Sequence, residues 1–414
     1  MTTVTATLPR PRTILRLLVG RGTFRIGSQL TAVVLVGVWD ARTFSQYASA
    51  TGLCAWLLLA GDAPEKAALK VLPRTRLLGP AVARLALATA ATPTLLLLVV
   101  LIPAAVLAPM SVATTYLAAG AWSACTGLMM TVSGLHRLRG RPTLDTVAFA
   151  ASGASVVVIT AMTLLAGWAP QVHLILVLAS TMVVTAGAVA ALPRDWRWRP
   201  ADGPRRRMLG RLLRMTWLLG VTDLFDALCF ASVYLVLAAS GQAGQSGALY
   251  LALLPAVAIC QLVIYLLRLA QPATSHRLRG VHGRRGRSRA RRLLLRAEHL
   301  GVAFGAVFGA FLMSPAVRQR LVGDFRTVAL VLLVGVVLVL YLTVMYAGYL
   351  VENTNNDVLA VTSASALAGL LATCLFATAI VPWLGAVGAV AALALAIPVK
   401  AHVMRRMLPS QETE

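Results

Sequence analysis

The chain has 414 residues, of which 58% are hydrophobic and only 13% charged, and its mean hydropathy is +0.79. Soluble domains carry about 25% charged residues, so this composition excludes an ordinary soluble protein and points to helices solvated by lipid. The formal net charge of +24 raises a nucleic-acid partner, but Lys and Arg gather in the connections between apolar runs. Positive-inside topology and anionic head groups account for them there, and no nucleic acid is expected.

Before the first apolar run lie Arg10, Arg12, Arg16, Arg21 and Arg25. This polar lead is long for a signal peptide, so an uncleaved first transmembrane helix is expected. Apolar periodicity predicts spans at 21–39, 43–61, 78–102, 108–134, 144–166, 171–192, 208–236, 246–269, 297–314, 327–350, 357–378 and 382–399. Stretches such as 327–350 are apolar on every face, which argues against the period-two pattern of a β-barrel. The second span is weak, since ASATGLCAWLLLAG is short. From Ser365 to Val399 the chain is nearly all apolar, and a single helix there would measure about 52 Å against a hydrocarbon core of about 30 Å. A turn near Pro382 and Trp383 is therefore expected.

With the N-terminus in the cytoplasm, the inward connections collect Lys66, Lys70, Arg74, Arg76, Arg137, Arg139, Arg141, the arginines of 193–207 and those of 277–292. The tail adds Lys400, Arg405 and Arg406, whereas the outward connections hold Arg42, Arg318, Arg320 and Arg326. This asymmetry predicts cytoplasmic N- and C-termini. The connection 315–326 runs against it, and a skipped or extra helix is expected near 297–326.

Six spans precede the polar connection 193–207 and six follow it. The expected architecture is an all-α polytopic membrane protein of about 12 transmembrane helices: an N-terminal lobe (1–192), a cytoplasmic connection (193–207), a C-terminal lobe (208–400) and a cytoplasmic tail (401–414). Paired halves around a central pathway are typical of secondary transporters.

Catalytic signatures are missing: there is no GxxxxGK[ST], HExxH or GxSxG. Cys54, Cys125, Cys229, Cys260 and Cys374 stand singly and the six histidines are scattered, so neither a metal, a cofactor nor a disulfide framework is expected. Outward connections are short, whereas membrane enzymes that use lipid-linked sugars usually place acidic residues in a long one. A non-enzyme is expected.

Three stretches carry a family resemblance: WDARTFSQYASATG (39–52), GDAPEKAALKVLPR (61–74) and TSASALAGLLATCLFATAIVPWLGAVGAVAALA (362–394), where Gly385 and Gly388 precede Ala389 and Ala391. In these the chain resembles the O-antigen translocase type of polysaccharide and lipid-linked oligosaccharide flippase, within the multidrug/oligosaccharidyl-lipid/polysaccharide exporter (MOP) superfamily. The rival major facilitator fold normally carries a Gly-x-x-x-Asp-Arg-x-Gly-Arg-Arg-like array in its inward 2–3 connection, which 61–79 lacks. The resemblance implies a MATE-like fold in a bacterial cytoplasmic membrane. It also implies alternating access, a lipid-linked anionic glycan as substrate, and anionic membrane lipids and cell-envelope glycosyltransferases as partners. Two alternatives stand beside it: a cation-coupled exporter of small cationic or amphiphilic compounds, and a non-transport membrane enzyme or scaffold in cell-envelope synthesis.

A flippase must offer cationic groups to a diphosphate, and arginine does so bidentately. Arg21, Arg25, Lys66, Lys70 and Arg84 are the substrate-cavity candidates, with snorkelling to the inner interface the competing role for Arg84. Asp223 and Asp226 sit about 60° apart on one face of the seventh span. Carboxylates at that depth are costly unless protonated, paired or facing a wet cavity, which makes them ion-coupling candidates or structural partners. Glu65 is expected to pair locally with Lys66. Asp40 and Arg42 read as a wet turn, Pro93 and Pro255 as kink sites, and Gly385 and Gly388 as close-packing positions. The basic stretch 277–292 reads as a lipid-facing or solvated cationic surface.

Overall fold

The computed structural model describes residues 11–71, 79–197, 206–278, 281–323, 325–354 and 359–408. All regular structure among them is helical. In chain order the helices are α1 (Pro11–Val38), α2 (Ala41–Cys54), α3 (Leu57–Val71), α4 (Gly79–Leu107), α5 (Val112–Leu138), α6 (Pro142–Ala166) and α7 (Pro170–Ala190). There follow the one-turn α8 (Arg194–Arg197), α9 (Arg206–Ala239), α10 (Ser246–Arg277), α11 (Val281–Met313), the short α12 (Pro315–Val322), α13 (Arg326–Thr354), α14 (Leu359–Leu384) and α15 (Ala386–Met407). Among the described residues nine helices are long and apolar enough to cross a membrane. The more polar α1 and α5, and α2 with α3 in series, complete the twelve-segment plan of two six-helix lobes. Part of the connection 193–207, residues 355–358 and residues beyond 408 lie outside the described residues.

Three details correct the sequence reading, and a fourth agrees with it. The second span is two helices rather than one, broken at Ala55 and Trp56. The extra helix expected near 297–326 is α12, which fills the connection after α11. Arg137 and His136 belong to the last turn of α5, not to a solvated loop. The last helix continues to Met407, so Lys400, His402 and Arg405 are helical and not part of a free tail. Charge marks a helix's polar end, but burial decides whether that end is solvated.

The turn at the end of α14 falls where helix length required it. Gly385 adopts φ +55°, and α15 begins at the next residue. Asp40 caps α2 by accepting the Thr43 amide at 2.7 Å, which holds its carboxyl below the usual carboxylate range. Helices α4 and α10 run through Pro93 and Pro255.

The chain divides into two compact units. One comprises Met1–Gly220 with Arg268–Ala273; the other comprises Val221–Leu267 and Thr274–Glu414. In the first, α5 packs against α2, α3, α4, α6 and α7. Its small residues permit this: a Cβ on Gly61 of α3 would collide with the backbone of Gly127 and Leu128 on α5. In the second, α15 packs against α11, α13 and α14. Of the nine candidate spans α15 is the most buried, 61% against at most 39% for the others, and its alanine-rich N-terminal half forms the centre of that unit. Close packing of small side chains is the main cohesive force available where lipid removes the hydrophobic drive between helices.

Candidate functional site

Ionic side chains inside apolar helices are costly to desolvate, so their positions mark where the fold has been shaped around charge. The first unit holds one buried network. Glu65 on α3 accepts from the Arg137 guanidinium of α5, lies 3.2 Å from Arg268 Nη1 and 3.7 Å from Arg21 Nη2 of α1. Asp145, in the first turn of α6, lies 3.4 Å from Arg21 Nε and 3.0 Å from Arg137 Nε. All five residues are at least nine-tenths buried at the side chain. The Arg21 guanidinium also stacks over Phe149, 4.5 Å from its centroid. Three guanidiniums thus gather on two carboxylates contributed by α3 and α6.

The second unit holds two smaller ionic groups and a hydroxyl cluster. Lys400 Nζ of α15 lies 2.5 and 2.6 Å from the two carboxylate oxygens of Asp226 on α9. One turn earlier on α9, the Thr222 hydroxyl meets those of Ser363 (3.0 Å) and Thr362 (3.3 Å) on α14. Farther along α15, Arg405 places two nitrogens 2.5 and 2.9 Å from the Glu298 carboxylate of α11, and His402 Nδ1 lies 3.2 Å from the same group.

The sequence-derived candidates separate in this frame. Arg21 is in the buried network. Arg25 is half-buried, with its guanidinium 5.9 Å from the Phe24 ring. Lys66 is half-buried on α3, and the side chain of Lys70 lies outside the described residues. Arg84, in the second turn of α4, is half-buried and its Nε donates to the Pro80 carbonyl at 3.4 Å. Asp223 is half-buried on α9, while Asp226 is engaged by Lys400. Gly385 keeps its positive φ, and a Cβ on Gly388 would lie 2.9 Å from the Ile380 carbonyl oxygen. Glu65, expected beside Lys66, takes arginines from α1, α5 and α10 as its ion-pair partners.

Sequence reasoning missed Arg268, Asp145 and Lys400. A signal existed for the first: Arg268 interrupts the apolar run YLLRLA as Arg84 interrupts α4. Asp145 gives no distinctive signal, because an acid in a helix's first turn is favourable at any helix N-terminus. Lys400 passed for one more inward-facing cation.

No family model matches the chain, and no curated protein matches it by sequence. Solved structures do match over nearly its whole length. An outward-facing multidrug resistance MATE family transporter of the MOP superfamily superposes with TM-score 0.61 at 16% identity, covering 98% of both chains. The inward-facing form of such a transporter gives 0.56 at 16% identity, covering 95% of this chain and 97% of that one. A MOP superfamily transporter from Pyrococcus furiosus, whose binding pocket is described as reversed in polarity and suggestive of a different function, gives 0.59 at 14% identity, covering 98% of both chains. The chain is a multi-pass membrane protein with the fold of the MATE and MOP-superfamily transporters.

Proposed function

We propose that the protein moves an anionic amphiphile, a lipid-linked glycan precursor or a close chemical relative, across the cytoplasmic membrane by alternating access and without covalent chemistry. The observation that carries this reading is the Lys400–Asp226 pair. An exporter of cations needs an intramembrane carboxylate that can meet its cargo, yet both oxygens of Asp226 are bonded by an ammonium of the same chain. A cationic cargo would have to displace that ammonium. Elsewhere the helices carry Arg25 and Arg84 at half-buried positions, the side-chain type suited to phosphate. The Pyrococcus furiosus transporter with the same fold, described as having a pocket of reversed polarity, is a precedent for charge inversion on this scaffold.

The competing reading is cation-coupled export of small cationic compounds. It is favoured by Asp223, one turn before Asp226 on α9, and by the multidrug resistance description of the other superposed transporters. Proteoliposomes separate the two. Translocation of a fluorescent polyprenyl-diphosphate sugar is followed by quencher access, and efflux of a lipophilic dye cation is measured in parallel, both per folded protein. Flipping should fall at least tenfold in Arg25→Gln/Arg84→Gln and less than threefold in Asp223→Asn/Asp226→Asn. Dye efflux that collapses only in the aspartate variant, with no lipid flipping by the native chain, would overturn the proposal.

A further inference from the structure

Within the second unit, a hollow of about 610 Å³ opens where the end of α10 meets the start of α11 beside α13. Its rim is cationic: Arg277 comes from the last residue of α10, and His282, Arg285 and Arg289 come from α11. Spacings of three and four residues put the α11 members on one helical face. All four are solvent-exposed, and among the described residues none of the three arginines lies in an ion pair with a carboxylate. The floor is apolar, formed by Leu278 and by Leu350 of α13.

The hollow is built by close approach. A Cβ on Gly283 would lie 3.2 Å from the Leu278 carbonyl oxygen, and one on Gly286 would lie 3.2 Å from Thr354 Cγ2 and 3.3 Å from Leu278 Cδ2. Glycine at both positions lets the end of α10 and the end of α13 fold in against α11. Arg289 is steered by its neighbour, with its guanidinium 5.6 Å from the Tyr346 ring. The volume falls within the range of small-ligand sites, about 300–1,000 Å³. Convergent guanidiniums over an apolar floor fit a phosphate joined to a greasy stem better than they fit a free ion.

We infer that this hollow is a binding site for the phosphate headgroup of an anionic phospholipid of the cytoplasmic leaflet, with the guanidiniums of Arg277, Arg285 and Arg289 on the phosphate and the first carbons of the lipid against Leu278 and Leu350. Charge asymmetry puts the α10–α11 connection on the cytoplasmic side, where anionic lipids are enriched. This inference stands apart from the nature of the transported cargo.

The test uses the full chain purified in neutral detergent and titrated with dioctanoyl phosphatidylglycerol, dioctanoyl phosphatidylcholine or inorganic phosphate, with bound lipid counted by native mass spectrometry. The native protein should retain phosphatidylglycerol at least tenfold more tightly than phosphatidylcholine. Arg277→Gln/Arg285→Gln/Arg289→Gln should abolish at least nine-tenths of that preference. Arg291→Gln/Arg292→Gln/Arg296→Gln removes the same charge from α11 outside the rim and should change it less than twofold. If the rim triple does not elute as a single species, the exposed single variants Arg285→Gln and Arg289→Gln should each weaken binding at least threefold. Equal losses in both triples would overturn the site in favour of diffuse charge. Inorganic phosphate displacing the lipid at comparable concentration would overturn the lipid assignment.

Discussion

Lys400 on α15 is clamped to Asp226 on α9, its ammonium within 2.6 Å of both carboxylate oxygens. The lysine is 9% exposed. Removing one member of such a pair strands the other's charge where water is scarce, whereas removing both removes the desolvation cost along with the attraction. Lys400→Met should therefore destabilise the protein by on the order of 3 kcal/mol. Lys400→Met/Asp226→Leu should recover most of that loss. Thermal unfolding in detergent checks both. A double variant no more stable than the single one would show that the two side chains act separately.

Glu65 is the shared ion-pair partner of Arg21, Arg137 and Arg268. Glu65→Gln withdraws the charge that all three use and should cost about 3–5 kcal/mol, the range for breaking a buried pair. Arg21→Gln leaves Glu65 to Arg137 and Arg268 and should cost about 2 kcal/mol, near that of a single charge-assisted hydrogen bond. The expected ranking is read from unfolding midpoints of the two variants at equal expression.

Gly61 and Gly127 meet backbone to backbone, and the Thr131 hydroxyl donates to the Gly61 carbonyl across the same contact. A methyl group here has no flexible neighbour to push aside. Gly61→Ala or Gly127→Ala should cost about 3 kcal/mol, the upper end for overpacking, and lower the yield of monodisperse protein. Gly187→Ala meets nothing within 4 Å and should leave yield and melting temperature unchanged.

At Gly385 the penalty is conformational. Its φ of +55° and ψ of −128° are poorly accessible to residues with a side chain, and Gln245 occupies the space that a Cβ would enter. Gly385→Ala should lose about 1–3 kcal/mol. Gly388→Ala should lose a similar amount by collision with the Ile380 and Val381 backbone. Comparing their melting temperatures with that of Gly309→Ala, which has open space, isolates the effect.

How far the sequence could be read follows from what each signal depends on. The twelve spans and the break before α15 were legible because hydropathy and helix length are local properties set against a fixed bilayer thickness. The α2–α3 break was not, since its two residues, Ala55 and Trp56, are themselves apolar and leave the run's hydropathy unchanged. The acids Asp223 and Asp226 could be singled out by depth alone. Their partners could not, because Lys400 is 174 residues away from Asp226 in the chain.

By itself the sequence determined that this chain lives in a membrane and spans it about twelve times, because lipid solvation and helix length act on each segment independently. Only the tertiary structure decided which charges meet. Glu65 looked like a neighbour of Lys66, and Lys400 like a surface cation, until helix packing buried them and supplied Arg137, Arg268 and Asp226. Burial turns a weak, screened interaction into a strong and selective one, and burial is a property of the assembled helices.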